Sequence, residues 1–161
     1  MLSINPLGLA VLRLLSAIIW GLAGMGALAH PEEGQKAQNI RLFKPLAEKG
    51  DAMAQFNLAV LYATGHGVHH DDREAVKWFR RSAEQGVVHA QQWLGKHYAE
   101  GRGVKRDAIT AHMWFSLAAA KGNEAAAKAR DELVKKMPSG QIAEAQKRAE
   151  QCAARQYRNC A

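Results

Sequence analysis

The sequence predicts an all-α fold, a short α-solenoid of stacked helix–turn–helix units with a capping helix at each end. Three observations predict it. First, Gly50–Gln85 and Gly86–Lys121 are two copies of one 36-residue unit, identical at 14 aligned positions. A fixed period of this length is the mark of a stacked repeat. Second, each copy holds two apolar runs at helical spacing, separated by Gly-x-Gly-Val at 65–68 and 101–104. Third, the shared residues divide into small ones that let helices approach (Ala54/Ala90, Ala75/Ala111, Ala83/Ala119) and large ones that fill the space between (Leu58/Leu94, Tyr62/Tyr98, Trp78/Trp114, Phe79/Phe115). A two-helix unit cannot bury its apolar face alone, so its neighbours must complete the core.

In chain order, residues 1–29 read as a secretory leader. Met1–Arg13 is a weakly basic lead, Leu14–Met25 is apolar apart from Ser16, and Ala27-Leu28-Ala29 is an A-x-A cleavage signal before His30. Cleavage after Ala29 makes the protein periplasmic or secreted. The rival is an uncleaved anchor, since Leu7–Leu28 is just long enough to span a bilayer, and only that reading involves a membrane. Residues 30–49 form a linker and an amino-terminal capping helix. His30–Lys36 is polar and reads as a flexible lead. Ala37–Lys49 carries a helical stripe of Ile40, Phe43 and Ala47, with Pro45 expected to kink the helix or mark its first turn. Leu42 and Phe43 stand in the register of Trp78 and Phe79, so this segment is the second half of a unit.

Residues 50–85 and 86–121 are the two full units. In the first, Asp51 caps a helix running to about Thr64, and Gly65 suits the left-handed residue of a helix end. Asp71 caps the next helix, with Glu74 placed to complete a capping box. Asp107 caps the corresponding helix of the second unit. Residues 122–161 begin a degenerate third copy, with Asn123 as cap and Ala126 keeping the shared alanine, but with Arg130 where Leu58 and Leu94 stood. A closing helix from about Gln141 to Arg155 has Ile142, Ala145, Ala149 and Cys152 as its apolar stripe and a polar outer side, as a terminal repeat requires.

These residues resemble a known family. Gly50-Asp51-Ala52, Ala54-Gln55, Leu58, Tyr62, Gly65-x-Gly67-Val68, Asp71, Ala75, Trp78 and Ala83-Glu84-Gln85-Gly86 closely resemble the Sel1-like repeat. The second unit departs from it at Val87, Val88 and Ala120-Lys121, and Gln141–Gln146 is similar to the closing helix of such proteins. The resemblance implies a right-handed solenoid related to tetratricopeptide repeats, used as a protein-interaction scaffold. It implies no catalytic residues, because the family shares none.

Comparing the copies separates two stripes on the first helix of each unit. Ala54, Gln55, Leu58 and Tyr62 recur and suit stacking. Met53/His89, Phe56/Gln92, Asn57/Trp93 and Val60/Lys96 change, at i, i+3, i+4 and i+7, and lie on another face. Solenoids commonly line a groove with one such face, so Met53, Phe56, Asn57, Val60, His89, Gln92, Trp93 and Lys96 are nominated as a partner-binding surface. Phe56 and Trp93 are its aromatic anchors. The competing reading packs Met53, Phe56 and Val60 on the amino-terminal cap.

Charge, cysteines and histidines bound the chemistry. The net charge is +7, or +6 once Arg13 leaves with the leader. In an exported protein this argues against nucleic acid and leaves anionic envelope polymers, an acidic protein or a solvated surface. Cys152 and Cys160 are the only cysteines, and an even count in an oxidising compartment suggests a disulfide. On one straight helix their Cα atoms would lie about 12 Å apart, whereas a disulfide needs about 4.4–6.8 Å. Pairing therefore requires the last helix to end between them and the tail to turn back. His66, His69 and His70 with Asp71 and Asp72 invite a metal reading. An envelope enzyme or metal-binding protein using that loop is the alternative function. Yet the equivalent loop has Arg102, Lys105 and Arg106, and Asp71 already has a capping role, so no metal or cofactor is expected. Ser82, Ser116 and Ser139 have no base placed beside them by any motif, and Ser82 and Ser116 read as surface residues. The expectation is a non-enzymatic scaffold whose partner is a protein.

Overall fold

The structure, a computed structural model, describes residues 31–160, with side chains from Asn39 onward. The leader, its cleavage after Ala29 and the uncleaved-anchor alternative lie outside the described residues. The chain divides after Gly34, and the unit from Gln35 onward is compact and holds almost all of the helices that follow. They are α1 (Pro31–Glu48), α2 (Ala52–Thr64), α3 (Asp72–Ala83), α4 (Val88–Glu100), α5 (Ala108–Ala120), α6 (Glu124–Val134) and α7 (Ser139–Ala154). No strand occurs among the described residues. From α2 to α6 each helix packs on the next in sequence, and α7 returns to lie against α5. This is an all-α solenoid.

The periodicity is visible in the hydrogen bonds. The amide of Asp71 donates to the Tyr62 carbonyl at 3.0 Å, and the Asp107 amide to Tyr98 at 3.0 Å. Gly65 and Gly101 end α2 and α4 in left-handed conformation, at φ 71° and 74°. The shared glutamine is the joint between units. Gln55 Nε2 donates to the Ala47 carbonyl at 3.1 Å and Gln91 Nε2 to the Ala83 carbonyl at 3.2 Å, each near the end of the preceding helix. Both amides are buried, so the bonds satisfy groups that water cannot reach. Around them Leu58, Phe79, Leu94 and Trp114 are fully buried, each contributing about 1.5–3 kcal/mol of apolar transfer.

Five local expectations are corrected. Helix α1 begins at Pro31 rather than near Ala37, since proline's fixed φ suits a first helical position. Pro45 lies inside α1, near its last turn, and not in its first. Leu42 has the register of Trp78 but is 57% exposed, since among the described residues its half-unit has no first helix to cover it. The Asp71–Glu74 capping box is one-sided. Asp71 accepts from the amides of Arg73 and Glu74, but Glu74 turns to Lys77 at 3.0 Å. The reciprocal donor is taken, because the Asp71 amide already serves Tyr62. Ser82, expected at the surface, is fully buried, and its hydroxyl donates to the Ala52 carbonyl at 2.7 Å.

Candidate functional site

The stripe that varies between copies lies on the surface of α2 and α4. Met53 is 54% exposed, His89 and Lys96 are exposed, and Phe56, Asn57, Val60, Gln92 and Trp93 are half-buried. The two aromatic residues meet through a third. Phe79 of α3 is fully buried, with the Phe56 ring centre 6.0 Å away and the Trp93 ring stacked on it at 5.7 Å and 10°. His89 lies 6.1 Å from Phe56, and Lys96 Nζ sits 5.4 Å from the Trp93 ring. Phe56, His89, Trp93 and Lys96 thus form a continuous patch across two units. The aromatic neighbours of Phe56 come from α3 and α4, not from the amino-terminal cap. Phe56 and Trp93 also pack on the core, so each has one face in the stack and one toward solvent.

A cleft of about 340 Å³ continues the patch toward the third unit. Gln92, Lys96 and Ala99 of α4 face Ala129, Leu133 and Glu132 of α6 across it, over Phe115 of α5. Its rim is charged in both senses, with Lys96, Arg106 and Lys136 beside Glu100 and Glu132. The cleft has a sequence cause. Ala129 stands 36 residues after Trp93, in the position whose indole covers Phe79 one unit earlier. A methyl group in place of an indole leaves the space over Phe115 open. Asn123 Nδ2 donates to Gln92 Oε1 at 2.9 Å and ties the two sides together. Comparing only the two full copies misses this site, and carrying the same register into the third copy finds it.

The histidine loop does not assemble a metal centre. His66, His69 and His70 are exposed, and Asp71 is committed to its cap. Asp72 accepts Arg102 at 2.8 Å, with His70 Nε2 at 3.3 Å. No three His, Cys, Asp or Glu side chains converge as metal ligands among the described residues. The contact of Asp72 with Arg102 instead joins the loops of successive units. His97 lies beneath it, 1% exposed, its Nδ1 at 3.0 Å from the Arg102 carbonyl and its Nε2 without a partner. Burial pushes the His97 imidazole below its ordinary pKa, against the opposing pull of the Arg102 carbonyl and Asp72. His112 is also buried, and burial followed by Arg130 pushes it down likewise. Ser116 Oγ lies 3.3 Å from His112 Nδ1, and no carboxylate bonds that imidazole among the described residues. A triad is not assembled there.

Cys152 and Cys160 are joined, with Cα atoms 5.1 Å apart. Helix α7 ends at Ala154, and Gln156, Tyr157 and Asn159 take positive φ to turn the tail back, as the spacing requires. The returning tail lays the Tyr157 ring under Lys121 Nζ, at 4.1 Å. No described helix is long and apolar enough to cross a membrane.

Comparison with known proteins adds three findings. The family model "Sel1 repeat" matches residues 52–87 and 88–123. The crystal structure of c5321, a protective antigen present in uropathogenic Escherichia coli strains displaying an SLR fold, superposes with a TM-score of 0.70 at 31% identity. That match covers 86% of this chain but 32% of c5321, so this chain spans about a third of that protein. The Sel1 repeat protein from Oxalobacter formigenes superposes with a TM-score of 0.56 at 40% identity, over 58% of this chain and 70% of that one. No curated protein sequence matches the chain.

Proposed function

This chain belongs to the Sel1 repeat family, and we propose that it is an exported scaffold that holds a protein partner along α2, α4 and α6. Sel1 repeats generally serve as protein-interaction scaffolds, and no catalytic constellation is assembled among the described residues. The disulfide argues for an oxidising compartment, which is the support for export. The two units 50–85 and 86–121 build the stack, and residues 30–49 and 122–161 close it. Within the surface, Met53, Phe56, Asn57, Val60, His89, Gln92, Trp93 and Lys96 form the binding stripe.

One observation carries the reading. The cleft over Phe115 shares Gln92 and Lys96 with the stripe, so one track runs from the Phe56–Trp93 patch into a pocket of side-chain size. Apolar floors with charged rims are the usual anatomy of a protein interface. The test is photo-crosslinking from Lys96 in the full chain, in bacterial cells, with Glu150 on α7 as the comparison site. Lys96 should yield a discrete protein adduct that Ala129→Trp removes while helicity and melting stay intact. Equal adducts from Glu150, or adducts indifferent to Ala129→Trp, overturn the assignment.

A further inference from the structure

Helices α3 and α5 hold the same place in successive units, yet their outward stripes differ. Positions 73, 77 and 81 on α3 are Arg, Lys and Arg, whereas 109, 113 and 117 on α5 are Ile, Met and Leu. Arg73, Lys77 and Arg81 are exposed, while Met113 and Leu117 are 1% and 5% exposed. The neighbours account for the difference. Helix α3 packs chiefly on α2 and α4, but α5 packs on α4, α6 and also α7. Helix α7 buries Ala145, Ala149 and Cys152 in the process. The outer side of this helix position is therefore a seat for another helix. In the second unit the chain fills it from within. In the first it is open.

The open seat has its own chemistry. It is a cleft of about 500 Å³ between α3 and the turn at Gly103-Val104, with Val76 and Val104 as its apolar part. Arg80 donates to the Tyr98 hydroxyl, its guanidinium 5.9 Å from that ring, and Arg81 lies 4.7 Å from the Trp78 ring centre. Both guanidinium groups are thereby held in place before anything binds, which reduces the ordering cost of association. Glu84 also lines the cleft, and Glu74 lies beside Lys77, so four cations face two carboxylates.

We propose that this cleft docks a partner helix bearing Asp or Glu at i, i+4 and i+8, on the side of the molecule formed by α3 rather than by α2 and α4. At 1.5 Å per residue, cations at 73, 77 and 81 lie about 6 Å apart along α3, and carboxylates at those spacings repeat at about 6 Å on an opposing helix. Single-stranded nucleic acid fits less well, because it needs open aromatic faces. Here Trp78 and Tyr98 are buried, 5% and 7% exposed, beneath arginines.

The test titrates the full chain with a fluorescent alanine-rich helical peptide carrying glutamates at i, i+4 and i+8, read by anisotropy. The comparison peptide has the same composition with the glutamates spread around the helix. The striped peptide should bind, and Arg73→Gln/Lys77→Gln/Arg81→Gln should weaken it about tenfold, the sum of three exposed pairs. Lys49→Gln/Lys128→Gln/Lys147→Gln, with the same loss of charge on exposed positions elsewhere, should leave it unchanged. Val104→Glu, which keeps every cation, should also weaken it. Equal losses in both triple variants, equal binding of the spread peptide, or stronger competition by phosphatidylglycerol vesicles or oligo-dT than by unlabelled striped peptide would overturn the proposal.

Discussion

Gly103 is a point of close backbone approach between units although it has no side chain. Its φ is +68°, in the left-handed region where a Cβ is strained. A Cβ there would also lie 2.1 Å from the Asp72 carbonyl oxygen, in the first turn of α3. Backbone, unlike the end of a long side chain, cannot swing away. Gly103→Ala should therefore lower the free energy of unfolding by about 2–3 kcal/mol, read by urea titration. Gly140→Ala is the control, since nothing lies within 4 Å of a Cβ there and its backbone is helical. If both substitutions cost the same, the close approach of the Gly103 turn to α3 is wrong. Glycine at 103 is shared with Gly67 and so is visible in the sequence as a repeated residue. What it touches is not visible, because the contact joins positions 31 residues apart in neighbouring units.

Helix α7 and the tail behind it show how one element closes the stack. The cysteine spacing already required a helix end and a reversal, and α7 stops two residues past Cys152 to provide both. The placement of Tyr157 against Lys121 and Gly86 had no such signal, since a single aromatic residue beyond the last helix has no periodic partner. The unit-to-unit glutamine joint is affected too. Gln55 Oε1 accepts from Gln85, but the residue equivalent to Gln85 is Lys121, which donates to the Gly86 carbonyl and leaves Gln91 Oε1 unpaired. Cys152→Ala/Cys160→Ala should cost about 2–3 kcal/mol by the loop-closure estimate. It should also free the tail, so trypsin should cut after Arg155 in the variant and spare the oxidised parent. Equal cleavage rates in the two proteins would show that the disulfide does not hold the tail.

Across the whole molecule, the fold was legible because every unit must stack in the same way, and the shared residues record that demand. The candidate groove was only half legible. Met53 through Lys96 could be read from two full copies, but the cleft over Phe115 depends on Ala129 in the degenerate third copy, where few identities remain to carry the stripe comparison forward. The same register marks two buried histidines as departures. His97 replaces the apolar Leu61 and Leu133, and His112 replaces Val76. Both imidazoles have folded pKa values pushed below the unfolded value of about 6.5, first by burial. Below that pH the unfolded chain binds protons that the folded chain resists. Stability should therefore be level from about pH 8 to 7 and decline as pH falls through 6.5 and then through the lower folded values. His97→Leu should reduce the decline and also remove the unpartnered buried Nε2, at the expense of the bond to the Arg102 carbonyl. His97→Leu/His112→Val should reduce it further, with urea titrations at pH 7 and pH 5 as the measurement. A parent protein equally stable at both, or a double variant with an undiminished loss, would mean that neither imidazole is held neutral by the stack.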